Sequence, residues 1–186
     1  MDIKNIVIAA FVGSLFTLAV QFIINRKQRN QIKDSIDLFL KDIILPTGEK
    51  IINEISIVEG AISNYSFNNI SLNMHPSFNS SILDSFPIED LQPIYKDKLI
   101  YVISIKSRLK NLENRLPYQY FKNCVSEVEQ HIENHFEEHK NHFKAKTDHF
   151  HNCDEVKKLI NRTSDNLSNV KDIITSINKD IIKLYE

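Results

Sequence analysis

The sequence predicts an all-α protein: an N-terminal single transmembrane helix followed by a cytoplasmic antiparallel helical bundle with long, coiled-coil-like helices. Three observations carry that prediction. A charge-free apolar run fills residues 6–24, apolar residues recur at steps of three and four through most of the remaining chain, and neither Gly nor Pro occurs after Pro117. Steps of three and four are the helical period, and no stretch shows the strict alternation of a half-buried strand. The composition, 42% hydrophobic and 25% charged in 186 residues, is outside the disordered and disulfide-scaffold classes.

The run from Ile6 to Ile24 is interrupted only by Gly13, Ser14, Thr17 and Gln21. As a helix it extends roughly 28 Å, close to the hydrocarbon thickness of a bilayer. A secretory signal needs a basic start, a shorter apolar centre and small residues at a cleavage site. Here Lys4 alone supplies positive charge ahead of the run, and Asn25, Arg26 and Lys27 follow it. An uncleaved anchor is the better reading. Arg26, Lys27, Arg29 and Lys33 then sit at the headgroup level after the span. The positive-inside rule puts residues 1–5 outside and the bulk of the chain in the cytoplasm, so the expected location is the inner membrane, single-pass. Two cysteines, Cys124 and Cys153, far apart in sequence, suit a reducing compartment. Ala9, Gly13, Thr17 and Gln21 recur every four residues in the span, a spacing that permits close helix approach and self-association in the membrane.

Beyond the span, residues 25–45 read as a helical stalk, with Ile32, Ile36, Phe39 and Ile43 in helical steps. Pro46 is expected to end or kink it, and Thr47 to cap a second helix carrying Ile51, Ile55, Val58 and Ile62. Residues 46–186 form the bundle. Within them, 64–87 is a long Asn- and Ser-rich connection holding at most a short helix, either a partner contact or a loop folded over the bundle by Phe67, Phe78 and Phe86. The helical period returns from Ile88 through Leu91, Tyr95, Val102, Ile105, Leu109, Leu112 and Leu116, and Pro117 suits the first turn of the next helix. The rest is one long helix or a hairpin. Asn152 followed by Glu155 resembles a capping box and favours the hairpin.

The least generic motif lies in that last stretch. Asn134-His135-Phe136, Asn141-His142-Phe143 and Asp148-His149-Phe150 repeat every seven residues, and six of the seven histidines fall between His131 and His151. On a helix this makes a column of His beside a column of Phe. The preferred reading has the Phe anchoring the bundle and the His flanking them. A pH-responsive packing face is a second reading. Metal binding is a third, with His131, His135, His139 and His142 as weak candidates in pairs one turn apart, each pair half of a tetrahedral site. The other ligands would come from another helix, a second chain or Cys153.

Several classes of chemistry are excluded or unsupported. Phosphate loops, dinucleotide fingerprints and nucleophile elbows need clustered glycines, and the 3 here, Gly13, Gly48 and Gly60, stand alone. No spacing sets a catalytic triad apart from background. A net charge of -1 gives no bias toward nucleic acid. The sequence therefore points to a membrane-tethered helical interaction module, a scaffold, sensor or assembly partner, with no enzyme activity, cofactor or nucleic acid. Its expected partners are the lipid bilayer and a second copy of itself or a membrane protein. The alternatives are a small toxin-like or host-defence effector that oligomerises and perturbs the membrane, and a metal- or pH-sensing bundle.

Overall fold

The computed structural model describes residues 3–66, 75, 77–113 and 118–186, the side chains of 3–13, 118–122 and 124 excepted. Among these residues every regular element is helical: α1 (Ile3–Leu38), α2 (Leu45–Ser63), α3 (Ser81–Asp84), α4 (Ile88–Tyr95), α5 (Leu99–Leu112), α6 (Tyr118–His139), α7 (Lys146–Asn152) and α8 (Asp154–Tyr185). The all-helical expectation holds.

The frame is α8, 32 residues long and about 48 Å at the helical rise. It buries Val156, Thr163, Leu167, Val170, Ile174, Ile177, Ile181 and Leu184. With half-buried Ile160 these keep alternating steps of four and three, a coiled-coil seam with Thr163 in one of its apolar positions. That stripe packs against α2 and α5, which answer with Ile51, Ile55, Val58 and Ile62, and with Val102, Ile105, Leu109 and Leu112. Gly48 brings α2 close to α8: a Cβ there would lie 2.7 Å from Asn178 Oδ1 and 3.1 Å from Ile174 Cγ2.

The sequence predicts an end or a kink at Pro46, and the chain stays helical through it. Between Leu38 and Leu45 the backbone widens into a π-helical segment, Phe39–Ile44, and Leu45 N–H bonds Leu40 O, five residues back. The extra residue in the turn lets the chain pass a proline that has no N–H to give. Ile44 precedes α2 in helical conformation with no side-chain cap, so Thr47 has no capping role. The π-helical segment also turns Phe39, Leu40 and Ile44 into the core together with Ile36. The end of the expected stalk is thus part of the bundle.

The α2 helix stops at Tyr65 (φ 50°), where Ser66 N–H reaches back to Ala61 O at 2.9 Å, a Schellman closure without glycine. The described part of the connection lies on the bundle: Phe78 and Leu83 are buried, and His75 Nε2 is 3.1 Å from the buried carboxylate of Glu54. The run from Ile88 is two helices, not one, because Lys96 takes φ 50° and breaks it. Leu116 and Pro117 lie outside the described residues.

The C-terminal question resolves as a fold-back. The α6 helix ends at His139, a turn follows, and α7 carries the chain back against both α6 and α8. Continued as one rod, Phe150 and Cys153 would stay on an uncovered stripe; folded back, both enter the core. Asn152 is not the cap of α8. Extended Cys153 occupies that position with no side-chain cap bond, and Asn152 Nδ2 donates instead to Asp148 Oδ1 at 2.7 Å.

Among the described residues no helix is long and apolar enough to cross a membrane. The 36-residue α1 is long, but it turns polar after Ile24, and the part of the apolar run before Ser14 lies outside the described side chains.

Candidate functional site

The fold-back brings three ligand-type side chains to one point. His135 comes from α6, His149 from α7, and Cys153 from the joint between α7 and α8. His149 and Cys153 are one helical turn apart, Cys153 N–H bonding His149 O at 2.9 Å, so they share a face. His135 Nδ1 lies 2.8 Å from His149 Nε2 and 3.7 Å from Cys153 Sγ, and all three ligand atoms fall within 4.8 Å of one another. His149 is fully buried, Cys153 is 7% exposed, and the His135 side chain is 12% exposed.

The surroundings fix these rings. Phe143 meets the edge of His149 at 4.7 Å between centroids, and Phe136 packs at 5.7 Å. On the open side the Glu155 carboxylate lies 2.8 Å from His135 Nε2. A carboxylate only accepts, so it calls for the proton on Nε2 and leaves the Nδ1 lone pair facing His149 and Cys153. Burial, followed by the nearby charges of His135, His139 and His131, holds the His149 imidazole below the ordinary histidine range. Neutral imidazole is the ligand form.

His149 Nε2 and the Cys153 thiol both face the single lone pair of His135 Nδ1. Among the described residues His149 Nδ1 has no partner.

The four candidates read from the sequence divide. His135 is in the cluster. His139 is half-buried and its ring lies 4.3 Å from that of His135, while His131 is exposed and stacks at 5.8 Å. His142 is exposed on the turn after α6. The structure does not keep the His and Phe repeats as columns on one helix, because α6 ends at His139: the first unit is on α6, the second in the turn and the third on α7. Phe150 is in the core 5.0 Å from the Tyr65 ring, and Phe143 and Phe136 are half-buried. His149 and Cys153 do carry a local signal, a His-x-x-x-Cys spacing that puts imidazole and thiol one turn apart. Cys124 lies outside the described side chains.

The second feature is the girth of α1. Leu15, Phe16, Leu18, Phe22, Ile23 and Ile24 are between 44% and 71% exposed. At about 100° per residue they surround most of the helix. Thr17 and Gln21 occupy the sector they leave open. Gln21 Nε2 donates to Asn25 Oδ1 at 3.2 Å, while Ala9 and Gly13 of the same face lie outside the described side chains. Arg26, Lys27 and Arg29 follow, exposed; Lys33 pairs with Asp37 at 2.8 Å.

No family model, no curated protein and no solved structure matches this chain.

Proposed function

We infer that the protein is a membrane-tethered helical interaction module, held at the inner membrane by residues 6–24 with its bundle in the cytoplasm. The observation that carries this reading is the apolar girth of α1. A helix that docks on one protein surface needs one apolar stripe, whereas large apolar side chains on most of its circumference suit a solvent apolar on every side. The sequence extends the charge-free run back to Ile6, and Arg26, Lys27 and Arg29 stand where anionic headgroups would meet them. The bundle, built on a seam of long helices, is the part that partners would engage. The sector of Thr17 and Gln21, continued by Ala9 and Gly13, is the face for self-association within the bilayer.

Membrane fractionation of the full chain tests the reading. The protein is expected in the membrane pellet after washes with high salt and with alkaline carbonate, and Leu18→Lys with Phe22→Lys releases it. Recovery of the unaltered chain in the soluble fraction overturns the tether. A C-terminal tag that protease reaches only after the inner membrane is opened supports the orientation; digestion in intact spheroplasts reverses it.

The polar sector within an otherwise apolar girth also favours a second reading, an effector whose span oligomerises and perturbs the bilayer. Expression of an effector arrests growth and Gly13→Leu relieves the arrest, whereas a scaffold is tolerated.

A further inference from the structure

We propose that His135 Nδ1, His149 Nε2 and Cys153 Sγ form a three-ligand site for a thiophilic divalent cation of the zinc class. The inference is independent of the membrane tether. Its first support is geometry. Two imidazole nitrogens and a sulfur on one tetrahedral zinc stand about 3.3 Å (N to N) and about 3.6 Å (N to S) apart. The present separations from His135 Nδ1 are 2.8 Å to His149 Nε2 and 3.7 Å to Cys153 Sγ. All three ligand atoms fall within 4.8 Å of one another, so a common centre requires the two nitrogens to move slightly apart and the sulfur to stay within reach of both.

Chemistry supplies the second support. One thiolate and two neutral imidazoles select a borderline-soft ion over magnesium or calcium, which take oxygen ligands. A cation gathers the lone pairs of His135 Nδ1, His149 Nε2 and the Cys153 thiolate at a single centre. Binding releases the Cys153 thiol proton to solvent and takes His149 as the neutral tautomer protonated on Nδ1, which leaves the Nε2 lone pair for the ion. Glu155 already holds the outer nitrogen of His135 at 2.8 Å, the carboxylate–histidine arrangement that orients metal ligands.

The third support is position. The ligands come from α6, α7 and the start of α8, so one ion ties together the three helices that the fold-back joins. The fourth coordination position belongs to solvent or to an incoming ligand, as in zinc sites that keep an open place.

The test uses the full chain in detergent micelles, loaded with zinc or, as a spectroscopic probe, cobalt. One ion per chain is expected after dialysis, with a near-ultraviolet thiolate-to-cobalt band that Cys153→Ser abolishes. His135→Ala and His149→Ala are expected to weaken zinc binding by about 100-fold or more, and Glu155→Gln by about 10–100-fold with the band retained. His131→Ala and His142→Ala leave affinity unchanged. Because Cys153 and His149 are buried and their variants can fail to fold, a second measurement uses the unaltered chain: zinc slows alkylation at Cys153, located by peptide mass, and leaves Cys124 unaffected. A wild-type cobalt complex without the thiolate band, a band that survives Cys153→Ser, an affinity that follows His131 and His142, or alkylation of Cys153 indifferent to zinc overturns the site.

Discussion

Tyr185 on α8 donates its hydroxyl to Asp37 Oδ1 of α1 at 2.7 Å, joining residues 148 positions apart. Tyr95 reaches the same oxygen at 3.2 Å from the end of α4, and Lys33 pairs with Oδ2 at 2.8 Å. Lys41 Nζ lies 3.7 Å from the centroid of the Tyr185 ring, adding a cation to its face. One carboxylate therefore ties three helices together at the end of the bundle nearest the apolar part of α1.

Acid sensitivity follows from that arrangement. Burial by itself raises the Asp37 carboxyl, but the bonds from Lys33, Tyr185 and Tyr95 outweigh it and hold the group below its ordinary value. A lowered folded value means that the stabilisation is present above the unfolded pKa, near 3.9, and is lost as pH falls through the folded one. Urea melts taken at falling pH are expected to show the wild type weakening below about pH 4 and Asp37→Asn with a shallower acid limb. Tyr185→Phe removes one charge-assisted bond and is expected to cost about 1–2 kcal/mol at neutral pH. Burial first, with the Asp37 carboxylate, pushes both phenols above the ordinary tyrosine range, so alkaline conditions leave these bonds in place.

The two described glycines of α2 separate propensity from packing. Gly60 has nothing within 4 Å of an added Cβ, and its backbone is not left-handed. Gly60→Ala is therefore expected to stabilise by about 0.4–1 kcal/mol. At Gly48 the same methyl meets Asn178 Oδ1 and the buried Ile174, so Gly48→Ala displaces the Asn178 amide and presses on Ile174, and is expected to destabilise by about 1 kcal/mol. Equal stabilisation by both substitutions in thermal melts would mean the helices have room at Gly48.

Two isoleucines on α8 test the seam. Ile174 is fully buried and Ile182 is 51% exposed. Ile174→Ala is expected to cost about 2–5 kcal/mol through lost burial and the cavity left behind. Ile182→Ala should change stability by no more than about 0.5 kcal/mol. Denaturant midpoints measured on both variants decide it.

These contrasts also mark what the sequence discloses. The α8 seam was legible because a helix packed on two neighbours must repeat its apolar residues at three and four, and Leu167 to Leu184 do. Helix boundaries were less so. Pro46 reads as a breaker, yet a π-helical turn lets the chain pass it, and in the run from Ile88 the break falls not at Pro93, which sits inside α4, but three residues later at Lys96, because tertiary packing outweighs local preference there. The His cluster was half visible. His135 stood out as a member of helical pairs, but its partner across the fold-back is His149, fourteen residues away, and no periodicity foretells which residues a turn brings together. Periodicity in fact misled, because units in phase on one imagined helix lie on α6, on the turn after it and on α7.

Ser80 provides the last test, in the connection itself. It is fully buried, its N–H donates to Glu113 Oε1 at 2.9 Å, and its hydroxyl lies between the carboxylates of Glu113 and Asp84. Both acids are held below their ordinary values, in each case chiefly by the Ser80 hydroxyl; the Ser80 N–H adds to this at Glu113, and Lys106, 3.0 Å away, adds to it at Asp84. One hydroxyl proton cannot serve two acceptors at once, and the positive charges of Lys106 at Asp84 and of Lys110 at both acids offset the repulsion between the carboxylates. Ser80→Ala keeps the backbone bond to Glu113 but removes the O–H that lies between the acids, and is expected to cost about 1 kcal/mol. Because that hydroxyl fastens α3 to the end of α5, the loss should be local. Amide exchange at Leu83 and Asp84 should quicken while that of Ile174 and Ile177 stays slow. Exchange that rises equally in α3 and α8 would show instead that Ser80 supports the whole bundle.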